Sequence, residues 1–453
     1  MKRLKLNDLR SLNLRRTARR LRDGVLDGWY RKGDPSSEDR KRLVMCNYTS
    51  NVIANFVGGT FWTGLLLHLN AGDGFIGTMS MFSLAANMLQ CFSPLLLERF
   101  PKRRTMLTVL RGVLYFINVI LIGLIPLFPA DRQIRLYMTG AGVLIVNIIN
   151  AFISPGLSIW HIQSLPNETR KSYFSLITMT VGAVVAICNL LGGWIVDLFA
   201  AHDMQYYGLL TVRAIAAVLC VVEIYLYFHI REYPYESSGD RFTVRELFTR
   251  PLHEKKYLYT IAVVFVWNIT ANVPGSYYTV YLLRNVEMAY STITLINMLN
   301  VPIVLFLTPI WRRVLGKYGW FRTLSFSMSI YALHYFLLAA VTKERPWFYA
   351  LALMLGFTFA IGINLSFTGI PYVNMPRENQ TVFIGFYSTC ANLAALVGVT
   401  VGKYFILSTQ EASVSLGSFV LTNKQLIVVL TGVLVSLAAI CVRLISRKVG
   451  DDG

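Results

Sequence analysis

From residue 43 almost to its end, the chain alternates long apolar runs with short polar breaks. Each run approaches or exceeds the roughly 20 residues that an α-helix needs to cross the hydrocarbon core of a bilayer. The pattern predicts spans over residues 43–69, 74–97, 104–128, 134–164, 170–200 and 206–231, and then a polar segment at 232–256. A second set follows over 257–284, 290–312, 322–341, 346–373, 380–408 and 424–445. The expected architecture is an all-α integral membrane protein with twelve transmembrane helices, a basic arm at 1–42 and a short tail at 446–453.

Composition agrees with that pattern. With 55% hydrophobic and 15% charged residues, the chain has too little polar material to coat a water-soluble globule, so its surface must largely face lipid. The formal charge of +19 would suggest nucleic acid if it lay on one soluble face, but it does not. Basic residues crowd the N-terminal arm (Arg15, Arg16, Arg19, Arg20, Arg22, Lys41, Arg42) and the segments Lys102–Arg104, Arg241–Lys256, Arg312–Arg322 and Arg443–Lys448. The alternate loops carry few, such as Arg132, Arg135, Lys343 and Lys424. The positive-inside rule then places both termini in the cytoplasm, as an even number of spans requires, and suggests a plasma or bacterial inner membrane. The arm has no continuous apolar core and is a poor secretory signal. It is either a solvated tail or a segment whose Leu4, Leu6, Leu9 and Leu12 rest on anionic headgroups.

Functional motifs of enzymes are absent: there is no P-loop, HExxH or GxSxG. The six histidines are scattered, and the six cysteines form no CxxC pair, so neither a metal site nor a disulfide framework is expected. No enzyme activity and no cofactor are expected.

The chain repeats itself. Asn51, Ala54, Asn55 and Gly58 in the first span match Asn268, Ala271, Asn272 and Gly275 in the seventh, both reading N-x-x-A-N-x-x-G at a displacement of 217. Leu65 and Leu66 correspond to Leu282 and Leu283. A second match joins LPNETRKSYF from Leu165 to MPRENQTVFI from Met375: Pro166 and Pro376, Glu168 and Glu378, Tyr173 and Phe383, and Gly192 and Gly402 share a displacement of 210. Two correspondences at equivalent helix numbers imply two homologous six-helix bundles, at 43–231 and 257–445, joined by the polar segment.

With these repeats the chain resembles the major facilitator superfamily over its whole length after the arm. That family carries G-x-x-x-D-R-x-G-R-R between its second and third helices, and the corresponding run here is PLLLERFPKRR from Pro94. Glu98 stands for the acid, Arg99 matches, Lys102 and Arg103 supply the basic pair, and Pro94 and Pro101 replace both glycines. The equivalent loop around Gly316, Lys317, Tyr318 and Gly319 has lost the acid. The resemblance implies a gate loop that latches the halves, with Glu98 against the positive N-terminal end of the eleventh helix near Thr381. A solvated loop that enforces topology is the alternative. In the fifth span CNLLGG places Cys188 and Asn189 where the antiporter branch has glycine and proline, while Gly192 and Gly193 remain.

The resemblance also implies that the first, fourth, seventh and tenth helices line a central cavity. Their middles hold Asn51, Asn55, Asn147, Asn150, Asn268, Asn272 and Asn364. Asn47, Asn51 and Asn55 recur every fourth residue and form one stripe, which Gly58 and Trp62 continue. Amides in hydrocarbon must face another helix, water or a ligand, so they either join helices or contact substrate. With aromatic residues such as Trp62 and Tyr278 nearby, the set suits a small polar or amphipathic solute. Arg111 and Glu223 lie at similar depth in the third and sixth spans, about 10 to 12 Å from the cytoplasmic end at ~1.5 Å per residue. They are read as an intramembrane ion pair, with Glu223 as a proton-coupling acid the alternative.

The expected function is a monomeric secondary active transporter that moves its solute by alternating access, with a proton or sodium ion as a possible coupling partner and lipid as its surroundings. The competing expectation is a transporter-like protein that no longer transports, such as a sensor or assembly factor.

Overall fold

A computed structural model describes residues 35–93, 103–163, 170–232, 244–372, 374–376, 380–410, 413–416 and 419–449. The described residues are helical almost throughout. The first span comprises Pro35–Phe56 and Gly59–His68, the second Asp73–Asn87, the third Arg103–Tyr115 with a π-helical turn at Phe116–Leu121, the fourth Arg132–Gln163, the fifth Arg170–Ala200 and the sixth Gln205–Phe228. The seventh comprises Lys255–Asn272 and Tyr277–Arg284, the eighth Tyr290–Met298 and Asn300–Tyr318, the ninth Trp320–Ala339, the tenth Trp347–Gly369, the eleventh Gln380–Ser408 and the twelfth Asn423–Val449. Among the described residues, nine helical segments are long and apolar enough to cross a membrane. The first, second and ninth predicted spans fall outside that set. The first is broken and starts on a charged turn, the second is a helix of 15 residues followed by a 3-10 turn at Met88–Phe92, and the ninth carries several serines together with Arg322 and His334.

Several boundaries differ from the apolar pattern for local reasons. The first span is broken after Phe56 and the seventh after Asn272, and Gly59 (φ +50°) and Gly275 (φ +48°) take the left-handed conformation at these breaks. Residues with a Cβ disfavour it. In the third span Pro126 lacks the N–H that would continue the ladder, and the segment ends in a 3-10 turn at Ile125–Leu127. Within the polar joint, Val244–His253 is a helix packed on the eleventh span. A short hairpin, β1 (Ser413–Leu416) against antiparallel β2 (Phe419–Thr422), connects the last two spans.

The two largest apolar cores divide between the halves. One joins Ile53, Leu107, Ile153, Val196 and Val212 from the first six spans. The other joins Val263, Leu324, Ile363, Ile406 and Val435 from the last six. Large apolar side chains also line outer faces at helical spacing, such as Val218, Val221 and Tyr225 on the sixth span and Leu437, Ile440 and Leu444 on the twelfth. In water such faces would be aggregation sites; in a bilayer they meet lipid. The architecture is therefore two helical bundles, each with its own main core, joined by shared apolar contacts at Tyr290 and Val280 and bounded by a lipid-facing exterior.

The bundles meet chiefly where the fifth span packs on the eighth and the second packs on the eleventh. These crossings are images of each other under the internal repeat. At the first, a Cβ on Gly193 would come within 2.7 Å of Thr294 Oγ1, and Asp197 accepts the Ser291 N–H at 2.7 Å. At the second, a Cβ on Gly77 would lie 3.0 Å from Lys403 Cγ, and one on Gly74 would lie 3.2 Å from Leu407 Cδ2. Gly193 and Lys403, and Asp197 and Leu407, are 210 apart; Gly77 and Thr294, and Gly74 and Ser291, are 217 apart. The displacements read in the sequence thus recur as a pseudo-twofold relation between packed pairs. Both crossings lie toward the face opposite the one where the described chain begins and ends. These faces are called the far face and the terminal face below.

Candidate functional site

The asparagine stripes sit where the repeat places them. Asn51 Nδ2 donates to Asn47 O at 2.8 Å and Asn55 Nδ2 to Asn51 O at 2.9 Å. In the seventh span Asn268 Nδ2 donates to Val264 O and Asn272 Nδ2 to Asn268 O, both at 2.8 Å. Asn147 likewise donates to Val143 O at 2.8 Å. Each amide thus satisfies one donor within its own helix, which leaves its oxygen and its second N–H for other groups. Asn55 Oδ1 accepts from Asn189 Nδ2 at 3.1 Å, which ties the first span to the fifth. The Asn189 amide oxygen is buried and has no hydrogen-bond partner among the described residues. Asn150 is half-buried and Asn364 exposed, and neither side chain makes a hydrogen bond there.

Two of the expected aromatic contributors behave differently. Trp62 is half-buried and packs against the far-face clusters around Leu65 and Leu66. Tyr278 does not extend the amide stripe: its hydroxyl donates to Leu338 O at 3.0 Å, and its ring lies beside Tyr281 and Tyr349, within the second bundle. Tyr278 follows the break at residues 273–276 and lies on the separate short helix Tyr277–Arg284.

Arg111 and Glu223 are brought together. Arg111 Nε and Nη2 each approach Glu223 Oε1 at 3.4 Å, and Arg111 also bonds Ser50 Oγ at 2.5 Å and stacks over the Tyr115 ring at 4.6 Å. Thr49 Oγ1 donates to Glu223 Oε2 at 3.2 Å. Glu223 is 0% exposed. The cluster knits the first, third and sixth spans inside one bundle. Nearer the terminal face, Asn47 Nδ2 lies 3.0 Å from His161 Nδ1, and Trp160 donates to Arg231 O at 3.0 Å.

Five charged residues within or beside the spans make contacts that sequence reasoning did not foresee. Arg213, only 3% exposed in the sixth span, donates to Asn118 O at 2.7 Å, a carbonyl of the π-helical turn in the third. Asp197 Oδ1 and Oδ2 accept the backbone N–H groups of Tyr290 and Ser291 at 2.9 and 2.7 Å, capping the eighth span from the other bundle. Lys424 pairs with Asp73 at 2.9 Å across the bundles. Lys403 donates to Thr78 Oγ1 at 2.8 Å, also across the bundles. The apolar stretches around Arg213 and Lys403 gave no local sign of a charge partner, because those partners are carbonyls and hydroxyls on other helices.

These contacts seal the far face. Gln205 donates to the Tyr290 hydroxyl at 3.0 Å, Phe61 stacks on Tyr290 at 6.2 Å, and Ser80 and Ser276 hydroxyls meet at 3.1 Å. Val280 of the second bundle is 0% exposed among Leu66, Ile76 and Met79 of the first. Above the seal an open recess of about 1160 Å³ is lined by Asn70, Arg132, Asp197, Gln205, Arg284 and Glu287. Of the expected gate loop, Glu98, Arg99 and Lys102 lie outside the described residues, while Arg103 opens the third span. The match at Pro166 and Glu168 and the residues from 1 to 34 lie outside them too.

Comparison with known proteins gives the same architecture. The family model described as Major Facilitator Superfamily matches residues 44–399. Among solved structures, the nucleoside transporter NupG is 9% identical with a TM-score of 0.65, over 91% of this chain and 99% of that one. A POT family transporter in complex with 5-aminolevulinic acid is 14% identical with a TM-score of 0.66, over 93% and 98%. The inward-open xylose transporter XylE from E. coli is 14% identical with a TM-score of 0.61, over 90% and 95%. No curated protein matches the chain in sequence. With the family matched over most of its length and the same fold in transporters of known structure, this chain belongs to the major facilitator superfamily.

Proposed function

We propose that the chain is a secondary active transporter that moves a small polar or amphipathic solute by alternating access between two rigid bundles, 43–231 and 257–445. One observation carries the reading: the bundles are joined at two pseudo-equivalent crossings, and both lie toward one face. An assembly held this way opens by rocking about a midplane site, and the amide stripes of the first and seventh spans lie at that depth. The neighbouring structures include carriers named for nucleosides and xylose, which supports solute transport without selecting a solute.

The terminal face is assigned to the cytoplasm from the placement of basic residues, and the membrane is taken to be a plasma or bacterial inner membrane. The far face is then external and the described state is closed to the outside. Asn51, Asn55, Asn147, Asn150, Asn268, Asn272 and Asn364 are the proposed cavity residues, with Asn189 added. Arg111 and Glu223 act as a static pair: the carboxylate is sealed from solvent and both of its oxygens are engaged. The coupling ion, proton or sodium, is read by another group, and a monomer suffices for transport.

Uptake into proteoliposomes tests this, using a panel of sugars, nucleosides, amino acids and short peptides with and without an imposed proton or sodium gradient. The reading expects gradient-dependent accumulation of at least one class and its loss in Asn55→Leu. No transport of any class, with folded protein in the membrane, would favour a sensor or assembly factor instead.

A further inference from the structure

The two far-face crossings are related by the repeat but carry opposite chemistry. Where the fifth span meets the eighth, position 193 is glycine and the charge is Asp197, whose two oxygens take two backbone N–H groups at the start of a helix. That carboxylate is well served without a cation. Where the eleventh meets the second, the position equivalent to Gly193 is Lys403 and that equivalent to Asp197 is Leu407. The lysine stem lies on Gly77, where a Cβ would crowd it, and its ammonium reaches Thr78 Oγ1. Thr78 passes its own hydroxyl proton to Gly74 O at 2.8 Å, so it offers the lysine a neutral lone pair.

Lys403 has no carboxylate partner among the described residues. Asp73, five residues before Thr78, gives one oxygen to Lys424, and its other oxygen, buried, has no hydrogen-bond partner among the described residues. Five residues from the end of the eleventh span, a lysine costs free energy unless water or an anion meets it. Its one hydrogen-bond partner in the other bundle among the described residues is Thr78, and opening of the far face would part the two. At that moment the ammonium and the Thr78 hydroxyl face the widening cleft.

We propose that Lys403, with Thr78, is a recognition site for the negative charge of the transported solute, and that this solute is a monoanion of the carboxylate class. One ammonium with one hydroxyl matches one carboxylate, one oxygen to each donor. A phosphate dianion would bring two charges to one uncompensated cation, which disfavours it. The amides of the first and seventh spans then hold the uncharged remainder. The inference rests on the transporter reading and sharpens it.

The test is untargeted profiling of solute uptake by cells that produce the full chain, Lys403→Met, Lys403→Arg or no transporter, with equal amounts of folded protein in the membrane. The expected result is that solutes accumulated only with the wild-type chain are carboxylates, that Lys403→Met lowers their uptake at least tenfold, and that Lys403→Arg restores most of it. Chain-dependent solutes that are neutral, cationic or phosphorylated, or carboxylate uptake unchanged in Lys403→Met, would overturn the proposal while leaving the transporter reading in place. A wild-type chain that moves no solute in or out would remove both.

Discussion

Asn55 and Asn272 occupy equivalent places in the two bundles: each donates its amide to the carbonyl one turn earlier, at 2.9 and 2.8 Å, just before its span breaks at a left-handed glycine. Each half thus ends its asparagine stripe at a left-handed glycine, Gly59 in one and Gly275 in the other, although the repeat pairs Gly275 with Gly58. Glycine is the residue that adopts this conformation without steric cost. Gly59→Ala and Gly275→Ala each place a Cβ in open space, so the penalty is conformational alone, ~1 to 2 kcal/mol. Thermal unfolding in detergent should shift downward for both variants by similar amounts. A variant as stable as the wild type would mean that the break tolerates an ordinary residue.

Removing one member of the buried Arg111–Glu223 pair leaves the other uncompensated. Arg111→Met should destabilise the first bundle by ~3 to 5 kcal/mol, while Arg111→Met combined with Glu223→Met should recover most of that loss. Unfolding of the single and double variants closes the cycle. A double variant no more stable than Arg111→Met would contradict a mutually neutralising pair.

The glycine at the fifth–eighth crossing permits backbone-level contact with Ser291, whose N and Cα would lie at 2.9 and 3.0 Å from an added Cβ. Backbone cannot swing aside as a flexible side chain can. Gly193→Leu should therefore hold the far face open. A cysteine placed at Val280, fully buried in the closed seal, reports this through its reaction with a membrane-impermeant maleimide. The rate should rise at least tenfold over the Val280→Cys background, and an unchanged rate would show that the crossing is not what closes this face.

Asp197 stabilises the same closed state more gently, by capping Tyr290 and Ser291. Its replacement by alanine should cost ~1 kcal/mol of closure, the usual worth of a helix cap, and speed the same labelling by about fivefold. Asp197→Asn, which keeps an accepting oxygen, should fall between the two.

Much of the fold was legible because lipid imposes long apolar runs, and the duplication was legible because the N-x-x-A-N-x-x-G stripes keep their spacing. Arg111 and Glu223 could be paired from depth alone, since helical rise converts residue count into distance. The contact of Tyr278 with Leu338 was not legible, because that carbonyl belongs to another helix. Lys403, Asp197 and Arg213 were missed for the same reason. Their partners are a hydroxyl, two backbone amides and a carbonyl on distant helices, and no local sequence pattern marks such atoms as receivers of charge.

Alternating access requires the two faces to move reciprocally. Spin-label pairs at Gly72 and Gln410 on the far face and at His229 and Lys317 toward the terminal face, all exposed positions, report both separations by pulsed electron resonance in proteoliposomes. Two populations are predicted, with the far pair short where the terminal pair is long, and Gly193→Leu should exchange their weights. A single fixed distance at both faces, or pairs that lengthen together, would contradict it.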